Sequence, residues 1–174
     1  MSSETSPEES PSPPAPQRTL ITSRAETHAA VLQTIEAATR TVMCLHSDLS
    51  IFDLSRAAVI NLLSKFLLAH RSARVRLLVD DSIWLDTRAA RLRALQLRFP
   101  LALEMRVASR DDPVGDDALL IADDATVLDM KPTAQARGDL WFNNKPHAQP
   151  LIAAFARRWE AAAHNLPVVP LGLG

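Results

Sequence analysis

Apolar residues recur along this chain in two rhythms, which predict helices and strands in alternation. Helical spacing, with an apolar position every three or four residues, predicts helices at about residues 24–39, 55–70, 87–98 and 146–164. Short continuous or alternating apolar runs predict strands at about residues 41–46, 74–80, 103–109, 118–122 and 126–130. The last two strands flank Asp123 and Asp124 and are expected to form a hairpin, whereas residues 131–144 are expected to be irregular.

Strands that alternate with helices are typical of an α/β domain. We therefore expect a mixed, mostly parallel sheet with helices on both faces. In sheets of this kind, ligands bind beyond the carboxyl ends of the strands. His46, Ser47, Asp48 and Asp80 follow two of the predicted strands and are expected to lie there.

Local composition sets the expected boundaries of the domain. Residues 1–17 are rich in Pro, Ser and Glu and cannot bury apolar surface, so we expect a disordered tail. Ser23 and Glu26 are spaced as a capping box, which predicts the start of the first helix. We expect the domain to span residues 18–166 and residues 167–174 to form a flexible C-terminal tail.

Overall composition limits the classes of function. With 174 residues, 47% of them hydrophobic, the chain is long enough for one domain with a core. The net charge of −1 provides no bulk field, so we expect no membrane partner and regard nucleic acid as an unfavoured one. A single cysteine, Cys44, rules out an intramolecular disulfide and fits a cytoplasmic location. Sixteen arginines against three lysines suggest a bacterial source.

Charge is nevertheless segregated along the sequence. Residues 56–98 hold nine basic and three acidic side chains, a net charge of +6. Residues 99–130 hold two basic and eight acidic side chains, a net charge of −6. The segments either pair their charges locally on solvated faces or form a bipolar surface for a partner.

Several polar residues are candidates for chemistry, and each has a structural alternative. His46 could act as a base or metal ligand, or it could simply end a strand with a local hydrogen bond. The carboxylate pairs that begin at Asp80 and Asp123 could hold Mg²⁺ or Ca²⁺, but Asp is also a common turn residue. Arg106 could grip an anion or neutralise nearby acids. No Cys-x-x-Cys pair or glycine-rich phosphate loop is present, so no cofactor is expected.

The ordered series of elements resembles one half of a phospholipase D-type domain. Residues 118–123 resemble the strand that carries the motif His-x-Lys-x-x-x-x-Asp, with Asp123 at the Asp position. The His position holds Asp116 and the Lys position holds Ala118. The chain also resembles a bacterial family of unknown function with this fold, whose members can follow an acetyltransferase domain. That resemblance covers about residues 20–163.

The resemblance implies a fold without its usual catalysis. The family's chemistry uses a histidine nucleophile and lysines that hold phosphate, whereas Asp116 would repel a phosphodiester and Ala118 offers no cation. We therefore expect a catalytically inactive binding or assembly module. The resemblance also implies a homodimer and an acetyltransferase-type protein partner.

Two rival functions remain open. One is an enzyme that acts on a phosphate-bearing substrate through His46, Asp48 and Arg106. The other is a nucleic-acid-binding domain that uses the arginines of residues 71–98. Asn143 and Asn144 resemble a loop asparagine of the family, but they also suit a helix N-cap. The ligand-binding candidates are His46, Ser47, Asp48, Asp80, Arg106, Asp123, Asn143 and Asn144, and no catalytic residue or metal ligand is expected.

Overall fold

The computed structural model describes residues 11–162 and 166–167 and forms a seven-stranded sheet with helices on both faces. The strands are β1 Gln17–Ile21, β2 Thr41–Leu45, β3 Arg74–Val79, β4 Leu103–Val107, β5 Leu119–Ala122, β6 Thr126–Met130 and β7 Gly138–Phe142. The helices are α1 Arg24–Ala37, α2 Ala57–Ala69, α3 Ile83–Arg88, α4 Ala90–Arg98 and α5 Lys145–Ala161. Among the described residues, no helix combines the length and the apolar run needed to cross a bilayer.

The sheet is mixed, as expected, but the prediction that it is mostly parallel is wrong. Its strand order is β1-β7-β6-β5-β2-β3-β4. Only β2–β3 and β3–β4 pair in parallel within the described chain, and the other four pairings are antiparallel. Short connections join β5, β6 and β7 as antiparallel neighbours. β5 and β7 also pair antiparallel with β2 and β1, which are distant in sequence.

Each face of the sheet carries its own part of the core. Along β2, Val42 and Cys44 pack on the face covered by α1, α2 and α4, which we call the α1 face. Leu45 packs on the opposite face with Phe155 and Trp159 of α5, which we call the α5 face. Because side chains alternate along a strand, this assignment also fixes the side on which a polar residue beyond a strand end projects.

Local sequence explains where the first helix begins. The Ser23 hydroxyl accepts a hydrogen bond from the amide of Glu26 at 3.1 Å, and the Glu26 carboxylate accepts one from the amide of Thr22 at 2.6 Å. The predicted cap is therefore confirmed, with Thr22 as the reciprocal donor. The other expected helices also form, but the one predicted at residues 87–98 is replaced by α3 and α4, which meet at Ala89.

Two strands lie in segments that were not expected to be strands. β1 includes Gln17, which the sequence analysis assigned to the disordered tail. β7 lies in residues 131–144, which were expected to be irregular, and it begins at Gly138. A Cβ at Gly138 would lie 2.6 Å from the Sδ atom of Met130 and closer still to the backbone oxygen of Asp129. Close approach of the neighbouring strand therefore requires the glycine that obscures this strand in the sequence.

A short C-terminal segment packs along the outer edge of β4. The amide of Leu166 donates to the Met105 carbonyl at 2.6 Å. The buried guanidinium of Arg93 donates to the Pro167 carbonyl at 3.0 Å and to the Gln96 side-chain oxygen at 2.7 Å. Pro167, expected to begin the flexible tail, is thus held by α4, and residues 168–174 of that predicted tail lie outside the described residues. Of the predicted N-terminal tail, residues 1–10 likewise lie outside them.

Replacing Arg93 by Met should destabilise the domain. The substitution keeps much of the apolar stem but leaves the Pro167 carbonyl and the Gln96 amide oxygen without their donor, at a cost of about 1–3 kcal/mol. Urea unfolding measures this loss. Arg91→Met is the matched control, because Arg91 is exposed on the same helix and should change stability by less than about 0.5 kcal/mol. Equal stability of the two variants would contradict the role of Arg93 in holding the C-terminal segment against α4.

Candidate functional site

A polar cleft of about 790 Å³ opens at the end of the sheet where β2 and β3 finish, which we call the carboxyl end. Its walls come from the start of α1, the loop after β2, α3 and the loop after β6. The charged and histidine side chains that line it are Arg24, His28, His46, Asp53, Arg88 and Lys131. These parts meet because α1 runs back along the sheet and so begins at the carboxyl end.

The loop after β2 forms a fixed wall of the cleft. Leu49 and Phe52 are fully buried in it, and Leu49 has a φ of 69°. This left-handed conformation is costly for leucine, so packing must hold it in place. It directs the Leu49 amide to His46 Nδ1 at 3.1 Å, while the ring of Phe52 contacts the His46 ring edge to face.

His46 can hydrogen-bond in two ways, and its environment favours the neutral form. Burial lowers the pKa of His46, although Asp48, whose Oδ1 lies 3.1 Å from Nδ1, opposes this shift. Nδ1 cannot both accept from the Leu49 amide and donate to Asp48. In the neutral ring Nδ1 accepts from Leu49 and the proton resides on Nε2. His46 therefore offers the cleft a donor.

Asp48 and His28, two further titratable residues near the cleft, also have lowered pKa values. Partial burial raises the pKa of Asp48, but hydrogen bonds from the Ser50 hydroxyl and amide outweigh it, and the net pKa is lowered. Burial, and then the charge of Arg56, lowers the pKa of His28. The Arg56 guanidinium lies 2.5 Å from His28 Nδ1, which fits a neutral, accepting ring.

Cations outnumber carboxylates in the cleft even when both histidines are neutral. Three cationic side chains, Arg24, Arg88 and Lys131, line the cleft together with one carboxylate, Asp53. Lys131 also pairs with Asp129 at 2.9 Å. Arg24 and Arg88 make no hydrogen bond or ion pair with a described residue. The arrangement suits an anion, because two cationic side chains remain available to it.

The structure separates the residues that the sequence analysis grouped together. His46, Ser47, Asp48 and Asp80 lie at the carboxyl end. The Asp80 carboxylate is already used, because it accepts from the amides of Val114 at 2.8 Å and Gly115 at 3.0 Å. The Ser47 carbonyl accepts from the amides of Asp80 and Asp81. Only His46 of these four lines the cleft.

Arg106 does not join His46 and Asp48, so the three-residue site expected for an enzyme is not formed. Arg106 projects on the α5 face, where its guanidinium donates to the Trp159 carbonyl at 2.9 Å and stacks on the Trp159 ring. It also lies 3.9 Å from Glu104. His46 projects on the α1 face because it follows Leu45, which faces α5.

The remaining candidates lie at the opposite end of the sheet, which we call the amino end. Asn144 caps α5 by accepting from the His147 amide at 3.1 Å, and Asn143 precedes it with a φ of 54°. Asp123 also lies there, so the two predicted carboxylate pairs are on opposite ends of the sheet. Within the described chain, no group of three His, Cys, Asp or Glu side chains is placed to hold a metal ion.

Asp123 has a structural role at this end. Its carboxylate accepts hydrogen bonds of 2.8–3.0 Å from the amides of Thr39, Arg40 and Thr41 and from the Thr39 hydroxyl. Partial burial raises the pKa of Asp123, but the hydrogen bonds outweigh this effect and the net pKa lies below its usual value. The carboxylate therefore fastens the β5–β6 turn to the junction between α1 and β2.

The sequence analysis missed Arg24, His28, Arg88 and Lys131. Arg24 resembled an ordinary first-turn residue of a capped helix, and Lys131 opened a segment expected to be irregular. One signal was available for Lys131. In a hairpin the second strand ends where the first begins, and β5 begins at the carboxyl end because it is antiparallel to β2.

Comparisons with solved structures define the class of fold. The phospholipase D family member Nuc from Salmonella typhimurium matches with a TM-score of 0.61 and 16% identity over 87% of this chain and 99% of Nuc. NucT from Helicobacter pylori matches with a TM-score of 0.58 and 12% identity over 86% of this chain and 99% of NucT. The archaeal chromatin protein TrmBL2, which binds DNA, matches with a TM-score of 0.60 and 13% identity, over 83% of this chain and 53% of its own. The chain thus spans about half of TrmBL2 and has a phospholipase D-like fold.

Sequence comparison assigns the family. The chain belongs to the family described as a domain of unknown function, DUF7931, whose model matches residues 23–167. No curated protein matches the sequence.

Replacing Asp123 by Asn should destabilise the domain in a pH-dependent way. Loss of a charged acceptor should cost about 1.5–3 kcal/mol at pH 7. Because the pKa of Asp123 is lowered in the folded state, this stabilisation is complete above the ordinary aspartate pKa of about 4 and is lost as the pH falls through the folded pKa. Urea unfolding at pH 7 and at acidic pH should therefore show the two proteins converging at low pH.

Asp124→Asn serves as the control for this experiment. Asp124 adjoins Asp123 but pairs only with the exposed side chains of Arg40 and Lys145, so its replacement should cost less than about 1 kcal/mol. A pH-independent loss in Asp123→Asn would contradict the role assigned to the carboxylate.

Proposed function

We propose that this domain is a catalytically inactive, phospholipase D-like module that binds a phosphate-bearing anion in the cleft at its carboxyl end. The observation that carries the proposal is the pair of cations without a partner in the described chain, Arg24 and Arg88, which face one cleft with Lys131. Anions with several oxygens satisfy such cations through charge-assisted hydrogen bonds. A binding module is thus the function that the cleft supports best.

The proposed absence of catalysis rests on the positions where the family motif would place its reacting groups. Asp116, at the histidine position, is exposed and repels a phosphodiester, and Ala118, at the lysine position, is buried. His46 does not replace the nucleophile. Its Nδ1 lone pair accepts from the Leu49 amide and its Nε2 carries the proton, so the ring can donate to an anion but cannot attack it.

The cleft keeps a lysine close to the position where the motif lacks one. The Met130 amide donates to the Ala118 carbonyl at 2.9 Å, and Lys131 is the next residue. A lysine thus follows β6 next to the position of the missing lysine on β5, and its ammonium pairs with Asp129 at 2.9 Å. The cations of the cleft that have no partner in the described chain are therefore Arg24 and Arg88 rather than this lysine.

The other functions expected from the sequence, an enzyme and a partner-binding protein, receive less support from this cleft. The enzyme that would use His46, Asp48 and Arg106 loses support, because these side chains project from opposite faces of the sheet. The homodimer and the acetyltransferase-type partner implied by the resemblance remain proposals on which the cleft does not bear.

Pyrophosphate should bind the wild-type protein, and the double variant Arg24→Gln/Arg88→Gln should bind it at least about tenfold more weakly, because each charge-assisted hydrogen bond contributes about 1.5–3 kcal/mol. Isothermal titration calorimetry measures both affinities. The control is Lys145→Gln, which removes an exposed cation at the amino end and should leave binding unchanged. Unchanged affinity in the double variant would refute the assigned site.

Bis-p-nitrophenyl phosphate should be turned over only at the background rate. The informative variant is His46→Ala, because replacing Asp123 would disturb the fold. Saturable turnover by the wild type that disappears in His46→Ala would show that the cleft is catalytic and overturn the inactive assignment, even if pyrophosphate binds there.

A further inference from the structure

Helices α2 and α4 bring their C-terminal ends together at the amino end of the sheet. Each helix ends five residues before the strand that follows it, and those strands, β3 and β4, are parallel neighbours with Val75 opposite Leu103. The helices also pack against each other. Residues near the two helix ends therefore lie side by side, at the end of the molecule opposite the cleft.

Three large apolar side chains are exposed at these helix ends. Leu68 of α2 is 63% exposed, Leu97 of α4 is 45% exposed and Leu101, just beyond α4, is 84% exposed. They make up three of the five exposed large hydrophobic side chains in the described chain. Several exposed apolar side chains at one end of a domain point to an interaction surface, whereas single exposed leucines are common.

The two segments that carry these leucines are basic and contain no acid. Neither residues 54–79 nor residues 87–103 contain Asp or Glu. Arg71 and Arg98 are exposed beside the leucines and make no ion pair with a described acid. Three acids share the amino end: Asp123 is bonded to the α1–β2 junction, Asp124 pairs with Arg40 and Lys145, and Glu36 lies in the last turn of α1, which packs against α2.

We propose that this surface, which consists of Leu68, Leu97, Leu101, Arg71 and Arg98, docks on an anionic lipid membrane. Leucines that enter the boundary between head groups and acyl chains, next to arginines that contact anionic head groups, form the usual composition of a surface that binds lipid. The net charge of −1 led us to expect no membrane partner. That net charge is a sum over the whole chain and does not report the basic segments at this end.

The same side chains fit nucleic acid less well. A nucleic-acid surface would use the arginines but leave three leucines in contact with phosphates and water. A single-stranded nucleic acid would also gain from exposed aromatic side chains for base stacking, and the only aromatic side chain in residues 87–103, Phe99, is partly buried under the Arg98 guanidinium. The leucines therefore favour lipid.

The C-terminal segment does not lead toward this surface. Leu166 contacts Gln96 and Pro167 contacts Arg93, so the chain moves back along α4 away from Leu97 as it advances. The proposal is also independent of the cleft, which lies at the other end of the sheet.

Sedimentation with vesicles tests the proposal. The full-length protein should sediment with vesicles of phosphatidylglycerol and phosphatidylcholine in equal parts and not with pure phosphatidylcholine. Leu97→Ser/Leu101→Ser should weaken this binding at least about tenfold. Arg71→Gln/Arg98→Gln should weaken it about 30-fold at low salt, since each basic side chain near the surface contributes about a factor of five.

Two controls separate this surface from general effects of charge or apolarity. Leu20→Ser removes a leucine on β1 whose exposure lies between those of Leu97 and Leu101, and Arg110→Gln/Arg137→Gln removes two exposed cations elsewhere. Both should sediment like the wild type, and circular dichroism should show all variants folded. The absence of sedimentation with anionic vesicles, or equal losses in variants and controls, would overturn the proposal.

A labelled DNA duplex provides the competing outcome. If the duplex binds, if Arg71→Gln/Arg98→Gln abolishes that binding while Leu97→Ser/Leu101→Ser leaves it intact, and if vesicles are ignored, the surface belongs to nucleic acid and the lipid proposal fails. Loss of pyrophosphate binding in the cleft would leave the vesicle result unaffected, so the two proposals fail separately.

Discussion

The hydrogen bonds of the Asp123 carboxylate reinforce the junction between the two halves of the sheet, where β5 pairs with β2. β2, β3 and β4 form a parallel half, β1, β7 and β6 form an antiparallel half, and β5 lies between them. Asp123 ends β5 in a left-handed conformation, with a φ of 53°, and binds three successive amides where α1 leads into β2. This contact fixes the level of β2 against β5 and thereby the level at which His46 leaves the sheet. A carboxylate that could be taken for the remnant of a catalytic motif is thus explained by the fold alone.

Local physical rules predicted the parts of the fold that depend on neighbours in sequence. Apolar periodicity predicted α2 and α5, and the capping box predicted the start of α1. The turn residues at Asp123 predicted the β5–β6 hairpin. β1 was not predicted, because four of its five residues are exposed and its sequence shows no alternation of apolar and polar residues. The directions of the β2–β5 and β1–β7 pairings were not predicted, because they depend on which strands become neighbours, and no local pattern encodes that choice. Together with the β5–β6 and β6–β7 pairings, they make four of the six described pairings antiparallel.

The candidate site was less predictable than the fold, for a related reason. A strand end can be located from sequence, and His46 was found in that way. The face on which a residue projects depends on the register of the whole strand, and this is why Arg106 was grouped with His46 although they lie on opposite faces. Arg24, Arg88 and Lys131 reach the cleft from three different elements. Only the tertiary structure brings them together, and each alone resembles an ordinary surface cation.

The charged residues of the domain fall into two groups, those that hold the fold and those that line the cleft. The carboxylates of Asp80 and Asp123 accept hydrogen bonds from backbone amides, and the guanidinium of Arg93 donates to the C-terminal segment. These charges therefore stabilise the fold. Arg24 and Arg88 make no such bond with a described residue, and replacing them would remove no contact that the fold needs. Because Arg24 and Arg88 are separate from the charges that stabilise the structure, these cations of the cleft can vary without loss of the fold. They are then better accounted for by the proposed ligand than by stability.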